Sequence, residues 1–258
     1  MRRKAGVNAS PAVSPTPAIE VTNLVKTFGT FYALRGISLQ IASGESVAIF
    51  GPNGAGKTTF LRILSAITRP SSGEIVINGQ PLRDGTLSIH RQLGVIGHQS
   101  FLYDDLTAEE NLLFYARLYD VPRPSHRIQE VLAEVGLRER AKDRVRAFSR
   151  GMQQRLAIAR AMLHNPSLLF LDEPYTGLDQ HAASMLTSWL SRLRSERRTI
   201  LLVTHDLDQG LALADRVVIF LRGKIAWEKA APELDQHTLR QLYFDLVAGA
   251  ERRFGATA

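Results

Sequence analysis

Cysteine is absent from the 258 residues of this chain. The chain therefore has neither a disulfide framework nor a thiolate metal site, which is consistent with a reducing compartment without proving one. Long apolar runs are also missing. The longest ones, such as VVIFL at 217–221, have the length of a strand, whereas a membrane-spanning helix needs about 18 apolar residues. We therefore expect a globular protein without a transmembrane segment.

Acidic residues are fewer than basic ones. The 25 Asp and Glu stand against 32 Lys and Arg, giving a net charge of +7. A basic surface in general favours nucleic acid or an anionic membrane. Here the basic residues are scattered, and no arginine-aromatic platform accompanies them. We interpret the charge as that of an ordinary basic surface and expect no nucleic-acid partner.

The two ends of the chain differ in composition from its middle. The start, MRRKAGVNASPAVSPTPA, is basic like a signal peptide, but no apolar segment follows. Its Pro, Ser and Ala content predicts a disordered tail over residues 1–17. Near the other end, PELDQHTLRQLYFDLV has the spacing of an amphipathic helix, so we predict a C-terminal helix and tail over residues 232–258.

Between these ends, short apolar strands alternate with helical segments. This pattern predicts an α/β fold with a mostly parallel, buried sheet. Strand-like segments near the start and the GEIVINGQ hairpin add an antiparallel β subdomain. The sequence predicts only helices over residues of about 100–165, and Thr107 and Glu110 have capping-box spacing there. We therefore predict one domain over residues 18–231 that contains an inserted α-helical subdomain.

GPNGAGKT at 51–58 matches the phosphate-binding pattern G-x-x-x-x-G-K-[ST], and it lies between a predicted strand and a predicted helix. The glycines let successive backbone N–H groups point inward, and the helix N-terminus adds positive charge. Lys57 is expected to reach the β- and γ-phosphates, and the Thr58 hydroxyl to bind Mg²⁺. The predicted nucleotide-binding loop comprises Gly51, Pro52, Asn53, Gly54, Ala55, Gly56, Lys57, Thr58 and Thr59.

Two acids end the apolar strand LLFLDEP at 168–174. Asp172 is placed to hold Mg²⁺, directly or through water. Glu173 is one residue further and points elsewhere, because strand side chains alternate. It is a candidate to polarise the water that attacks the γ-phosphate. The alternative is a solvated strand end with helix-capping acids, which the nearby phosphate loop disfavours.

Three more polar residues follow apolar strands. His205 ends TILLVTH and is expected at the sheet edge that carries the phosphate loop, because ligands gather at the carboxyl ends of parallel strands. There it is predicted to contact the γ-phosphate and to orient Glu173. Gln99 offers a carbonyl oxygen for Mg²⁺ or the attacking water, and we predict a structural role for its neighbour His98.

A second phosphate signal lies in AFSRGMQQRLAIARAML at 147–163, which has a Ser-x-Gly turn opening a helix. Ser149 and the amides at Gly151 and Met152 would form an anion clamp at that helix N-terminus. One chain thus carries two phosphate-binding signals.

The order of these motifs, with FSRGM at 148–152 and TGLD at 176–179, resembles the nucleotide-binding subunit of ATP-binding cassette (ABC) transporters over residues of about 19–228. The resemblance implies an ATPase that uses ATP and Mg²⁺. It implies that Phe28 stacks on adenine, that Gln99 senses a membrane partner, and that Asp179 lies at a dimer seam. It also implies an ATP-dependent homodimer, in which Ser149, Arg150, Gly151 and Met152 act in trans on the partner's ATP.

FSRGM departs from the family's commonest form, Leu-Ser-Gly-Gly-Gln. Phe148 replaces Leu, Arg150 replaces the first Gly, and Met152 replaces Gln, while Ser149 and Gly151 remain. The retained pair carries the hydroxyl and the close backbone approach, so we expect an active clamp. The side-chain contacts of Met152 are therefore expected to differ from those of Gln in the commonest form.

Four longer stretches resemble the ATP-binding subunit of the haem exporter of cytochrome c maturation. They are IGHQSFLYDDLTAEENLLFYARLY, FSRGMQQRLAIARAML, LDEPYTGLDQ and HDLDQGLALADRV. The resemblance implies a peripheral protein at the cytoplasmic face of the bacterial inner membrane, with separate transmembrane permease subunits. It leaves export of haem and release of haem from a complex both open. The alternatives are the ATPase of another exporter, for a drug, lipid or polysaccharide, and a soluble ATPase acting on ribosomes or DNA.

Overall fold

The structure is a computed structural model that describes residues 17–83, 87–97 and 100–255. Residues 1–16, most of the predicted tail, lie outside the described part. The strands within it are β1 (Pro17–Phe28), β2 (Phe31–Ala42), β3 (Ser46–Phe50), β4 (Ser72–Ile77), β5 (Gln80–Pro81), β6 (Leu93–Ile96), β7 (Leu168–Asp172), β8 (Thr199–Val203), β9 (Arg216–Leu221) and β10 (Lys224–Ala230).

Helices fill the connections between these strands. The α-helices are α1 (Lys57–Leu64), α2 (Leu87–His90), α3 (Ala108–Leu118), α4 (Pro124–Glu134), α5 (Arg150–Met162), α6 (Gln180–Ser195), α7 (Leu207–Leu213) and α8 (Gln236–Gly255). Short 3-10 turns occupy Arg138–Arg140, Val145–Ala147 and Ala231–Glu233. Among the described residues, no helix is both long and apolar enough to cross a membrane.

The central sheet has six strands in the order β10-β9-β3-β8-β7-β6. Its neighbours from β9 to β6 pair in parallel, and β10 joins β9 in antiparallel fashion. Every residue of β3, β7 and β8 is buried, as expected for parallel strands covered on both faces. The predicted α/β sheet is confirmed, and the carboxyl ends of these three strands lie side by side.

A second, antiparallel sheet has the order β2-β1-β4-β5, which confirms the antiparallel β subdomain. Its β1–β2 hairpin turns at Gly29 and Thr30, and Phe28 faces Phe31 across the turn. Apolar residues of β1, β2 and β4 pack with α1 and with one face of β3 and β7 in a shared core. The sheet is thereby fixed beside the first helix after β3.

Helices α3, α4 and α5 lie against the opposite face of the central sheet. Their buried residues form one cluster with Leu169 and Leu171 of β7, with Leu202 of β8, and with α6. This is the helical segment that the sequence predicts. The domain bounds given above, 18–231 with a subdomain at about 100–165, stay a prediction. Beyond them, α8 packs on α7 and β9 through Leu239 and Leu242.

One helix is shorter than its sequence indicates. We expect α1 to run from Lys57 to about Ile67, but it ends at Leu64. The reason is Ala66, which adopts a left-handed backbone with φ of 55° and so cannot continue a right-handed helix. The capping box of α3 is confirmed, since Thr107 and Glu110 each bond the other's backbone N–H.

Candidate nucleotide-binding and hydrolysis site

The phosphate loop connects β3 to α1 through two glycines that no other residue can replace without displacing backbone. A Cβ at Gly51 would lie 2.2 Å from the carbonyl oxygen of Phe220, and one at Gly56 would lie 2.6 Å from that of Ala33. Both glycines also have positive φ, 151° and 101°, which side chains disfavour. The sequence pattern thus reflects close packing of the loop against β9 and β2.

Lys57 is the first residue of α1, and its side chain turns back into the loop. The residue is only 8% exposed. Its Nζ donates to the carbonyl oxygens of Gly51 at 2.5 Å and Pro52 at 3.1 Å. Burial lowers the pKa of Lys57, while the charges of Glu173 and Asp172 act to raise it. The Lys57 ammonium therefore lies close enough to both carboxylates to interact with them electrostatically.

The remaining residues of the loop differ in exposure. Asn53 and Gly54 are exposed, Pro52 and Thr59 are half-buried, and Ala55 is buried. The Ala55 carbonyl accepts from the amide of Gly223 at 3.0 Å. The loop is thus anchored at its rear, and its tip is open to solvent.

Thr58 and Asp172 meet at the carboxyl ends of β3 and β7. Thr58 Oγ1 donates to Asp172 Oδ1 at 3.2 Å, and both line a cavity of about 230 Å³ together with Gly97 and Phe170. A hydroxyl and a carboxylate are the hard oxygen donors that Mg²⁺ prefers, and Mg²⁺ usually takes few protein ligands alongside substrate phosphates. The residues present therefore fit Mg²⁺.

Glu173 and His205 are in direct contact, as the sequence predicts. The Nδ1 atom of His205 lies 2.7 Å from Glu173 Oε2, and the His205 amide donates to the same oxygen at 3.3 Å. The Glu173 side chain is 14% exposed, against 75% for His205. Glu173 also has a left-handed backbone, with φ of 52°. The chain bends after Asp172, so the two acids diverge while remaining adjacent in sequence.

Phe28 lies at the tip of the β1–β2 hairpin with 53% of its surface exposed. Lys26 Nζ sits 4.9 Å from the centre of the Phe28 ring, a cation–π distance. Two more exposed aromatics, Phe31 and Tyr32, follow in β2. Sequence reasoning missed them, although their adjacency to Phe28 across a two-residue turn was a usable signal.

The FSRGM motif, called the signature below, lies at the start of α5. Ser149 is its N-cap, and its Oγ accepts from the Met152 amide at 3.3 Å. Ser149 and Arg150 are exposed, Gly151 and Met152 are half-buried, and Phe148 is buried in the helical cluster. Phe148 thus serves as the apolar anchor of the turn, while the two residues after it are accessible to solvent.

Asp179 caps α6, and its Oδ1 accepts from the Ala182 amide at 2.7 Å. This local role is one that the sequence analysis did not assign to it. Of the other predicted residues, Gln99 and His98 lie outside the described residues.

Arg160 of α5 was also missed by the sequence analysis. It is 6% exposed, and it donates to the Val95 carbonyl at 2.7 Å. Its guanidinium lies 5.5 Å from the Phe101 ring centre and 5.2 Å from that of Tyr115. It ties α5 to β6.

These features define a class of protein. A glycine loop with a buried lysine connects a strand to a helix. A hydroxyl–carboxylate pair and a glutamate–histidine pair lie at the ends of neighbouring strands. This is the architecture of a P-loop nucleotide hydrolase.

Comparisons with known proteins narrow the class to one family. The family model described as "ABC transporter" matches residues 34–176, more than half of the chain. The ATP-binding protein NatA of Bacillus subtilis is 38% identical over 78% of this chain and 83% of its own length. A Nod factor export ATP-binding protein of Rhizobium meliloti is 38% identical over 84% of this chain and 66% of its own.

Solved structures agree with this result. The ATP-binding cassette MJ0796, solved as a dimer bound to ADP and Pi, superposes with a TM-score of 0.76 at 30% identity, covering 83% of this chain and 98% of that one. An ATP-binding subunit of an ABC transporter gives 0.81 at 31% identity, with coverages of 89% and 99%. The chain belongs to the ABC transporter family. It is an ATP-binding, ATP-hydrolysing subunit that works with Mg²⁺.

Proposed function

We propose that this chain hydrolyses ATP at composite sites between two copies of itself and thereby drives an exporter. The observation that carries the proposal is the Glu173–His205 contact beside the phosphate loop. With one Glu173 oxygen held by His205, the other is available to accept the proton of a water. That water attacks the γ-phosphate, and ADP and phosphate leave.

The other predicted residues take binding roles. Lys57 and the amides of the loop would hold the β- and γ-phosphates, and Phe28 would stack on the base. Thr58 and Asp172, with Gln99, would hold Mg²⁺, which neutralises charge on the phosphate oxygens. His205 would also contact the γ-phosphate.

The exposed signature turn supports a composite site. Ser149 and Arg150 face solvent at a helix N-terminus, which favours an anion from outside the chain. A two-fold dimer would bring this turn to the partner's phosphate loop twice, with Asp179 at the seam. The dimeric form of the related MJ0796 cassette adds support.

The substitution Glu173→Gln tests the composite site. An amide in place of the carboxylate cannot accept the proton, so hydrolysis should stop while ATP still binds. We expect gel filtration with ATP and Mg²⁺ to show a dimer holding two nucleotides, and the same variant with ADP to remain a monomer. Only monomer in the presence of ATP would contradict the proposal.

For the cargo, we propose haem export, or haem release from a complex, in cytochrome c maturation. The support is the motif resemblance of the four stretches quoted above. The chain would then sit at the cytoplasmic face of the bacterial inner membrane on separate permease subunits. The second candidate is another exporter, favoured by relatives named for Nod factor export and linearmycin resistance, while others are named for sulfate/thiosulfate import.

Deleting the gene separates the cargo candidates. Loss of haem supply should abolish c-type cytochromes and leave b-type cytochromes unchanged, as measured by haem staining and difference spectra. Complementation should succeed with the wild-type gene and fail with the Glu173→Gln form. Normal c-type levels in the deletion strain would contradict haem export and leave the ATPase proposal standing.

A further inference from the structure

Arg150, the residue that departs most in character from the common signature, packs on a glycine 27 residues further along the chain. A Cβ built on Gly177 would lie 2.5 Å from Arg150 Nε and 2.6 Å from Cζ. Any side chain at position 177 would therefore displace the guanidinium. Gly177 also has a φ of 78°, a left-handed conformation that favours glycine. The backbone conformation and the space that Arg150 occupies thus both require glycine at this position.

Two further contacts join the same parts of the chain. Gln154, one turn along α5, donates from Nε2 to the carbonyl oxygen of Pro174 at 3.1 Å. Gly151 packs toward the start of α6, where a Cβ built on it would lie 4.0 Å from that of Ala182. The first two turns of α5 thus contact the loop 174–179, which directly follows Glu173, and the helix after it.

The charge of Arg150 has no counterpart in this arrangement. Within the part of the chain that the structure describes, its guanidinium has no carboxylate partner and no hydrogen bond. The contact with Gly177 is therefore a van der Waals contact. A glycine at position 150, as in the commonest family signature, could not make it.

We propose that Arg150 is a positioning residue that locks the signature turn (residues 149–152) to the loop 174–179. This inference rests on the proposed function, in which the turn acts on the partner's ATP and Glu173 acts on the chain's own. The guanidinium then keeps the clamp of one composite site and the base of the other in a fixed relation. A shift in either element would disturb both sites of the dimer.

A double-mutant cycle of Arg150→Ala and Gly177→Ala tests the contact. Arg150→Ala should lower kcat by about tenfold, since misplacing reacting groups by about 1 Å costs rate. ATP binding to the isolated monomer, measured with a fluorescent ATP analogue, should stay unchanged because the phosphate loop is intact. Gly177→Ala should lower kcat by displacing Arg150, and the double variant should be no slower than the slower single one.

Gly79→Ala is the matched control for backbone strain. Gly79 has a φ of 74° like Gly177, but a Cβ there would meet nothing within 4 Å. Its variant should lower the melting temperature about as much as Gly177→Ala and leave kcat unchanged. Losses in kcat that multiply in the double variant would overturn the proposal, because Arg150 would then act independently of Gly177, for example directly on the partner's phosphate. An unchanged kcat in Arg150→Ala would overturn it as well.

The Glu173→Gln background separates this inference from the proposed function. There, Arg150→Ala should raise the ATP concentration needed for half-maximal dimer formation. If Glu173→Gln alone forms no dimer with ATP, the composite site and the positioning role fall together. If it forms a dimer, and Arg150→Ala changes neither dimer formation in this background nor kcat in the otherwise wild-type chain, the positioning role alone is wrong.

Discussion

Two nitrogen-bearing side chains lie one turn apart, the buried Arg160 on α5 and the half-buried His164 just after its end, and burial affects their charges differently. Arg160 keeps its charge between two aromatic rings and a backbone carbonyl. His164 stacks on Tyr119 at 4.0 Å and contacts the Leu93 carbonyl through Nε2, but its buried Nδ1 has no hydrogen-bond partner among the residues that the structure describes. A proton on Nδ1 would thus find no acceptor, so His164 is held neutral.

This arrangement predicts acid sensitivity. Burial, followed by the charges of Arg160 and Arg127, lowers the pKa of His164 to about 4, against the opposing bond to Leu93. Above pH 6.5 the ring is neutral in both states, and stability is full. As the pH falls from 6.5 to 4, the unfolded chain takes up a proton that the folded chain refuses, which removes up to about 3 kcal/mol of unfolding free energy.

Urea unfolding at several pH values measures the effect. His164→Gln should lose the part of the pH dependence that falls between pH 6.5 and 4. The same change at the exposed His90 should leave that dependence as in the wild type. Parallel curves for wild type and His164→Gln would show that His164 takes up its proton equally in both states.

At the scale of elements, the sequence predicts the start of one helix better than the end of another. The start of α3 was predictable, because the side chains of Thr107 and Glu110 each accept a hydrogen bond from the other residue's backbone N–H within one turn. The end of α1 was not. Ala66 ends the helix with a positive φ, and nothing in its own side chain requires this conformation.

The same division applies to the signature helix. Its cap, Ser149, follows from local chemistry and could be predicted, while the anion-binding role of this helix end stays a prediction. The Arg150–Gly177 contact, the Gln154–Pro174 bond and the burial of Arg160 could not, because each joins segments that come together only when β7 and α5 are packed. Asp179 has a second, local role as the cap of α6 that the sequence analysis did not assign to it, and its place at a dimer seam stays a prediction.

At the scale of the whole molecule, the sheet itself assembles the site. Lys57 and Thr58 follow β3, Glu173 follows β7 and His205 follows β8, and these three strands are neighbours in one parallel sheet. Their side chains must therefore meet at one edge, which is why the contacts of Thr58 with Asp172 and of Glu173 with His205 could be predicted from the sequence. Phe28 lies on the second sheet, so its placement relative to the phosphate loop depends on how the two sheets are joined.

Arg216 of β9 links the central sheet to the second sheet. It bonds Glu45, in the turn between β2 and β3, at 2.7 Å, and it also donates to the Gln40 carbonyl of β2. Arg216 and Glu45 are largely buried, with side chains 23% and 17% exposed. Removing one partner leaves the other charge desolvated, so Arg216→Met should lower the unfolding free energy by about 2 kcal/mol in urea denaturation, a value discounted for partial exposure.

The half-exposed Glu228, the other carboxylate on Arg216 at 3.3 Å, provides the control for this junction. Glu228→Gln should cost less than about 0.5 kcal/mol, since an exposed ion pair contributes little. Adding Glu45→Gln to Arg216→Met should cost less than the sum of the single changes, because each single change strands the other's charge. A loss below about 0.5 kcal/mol for Arg216→Met would mean that the two sheets are held by their apolar contacts with α1, and that the hairpin bearing Phe28 needs no ionic support.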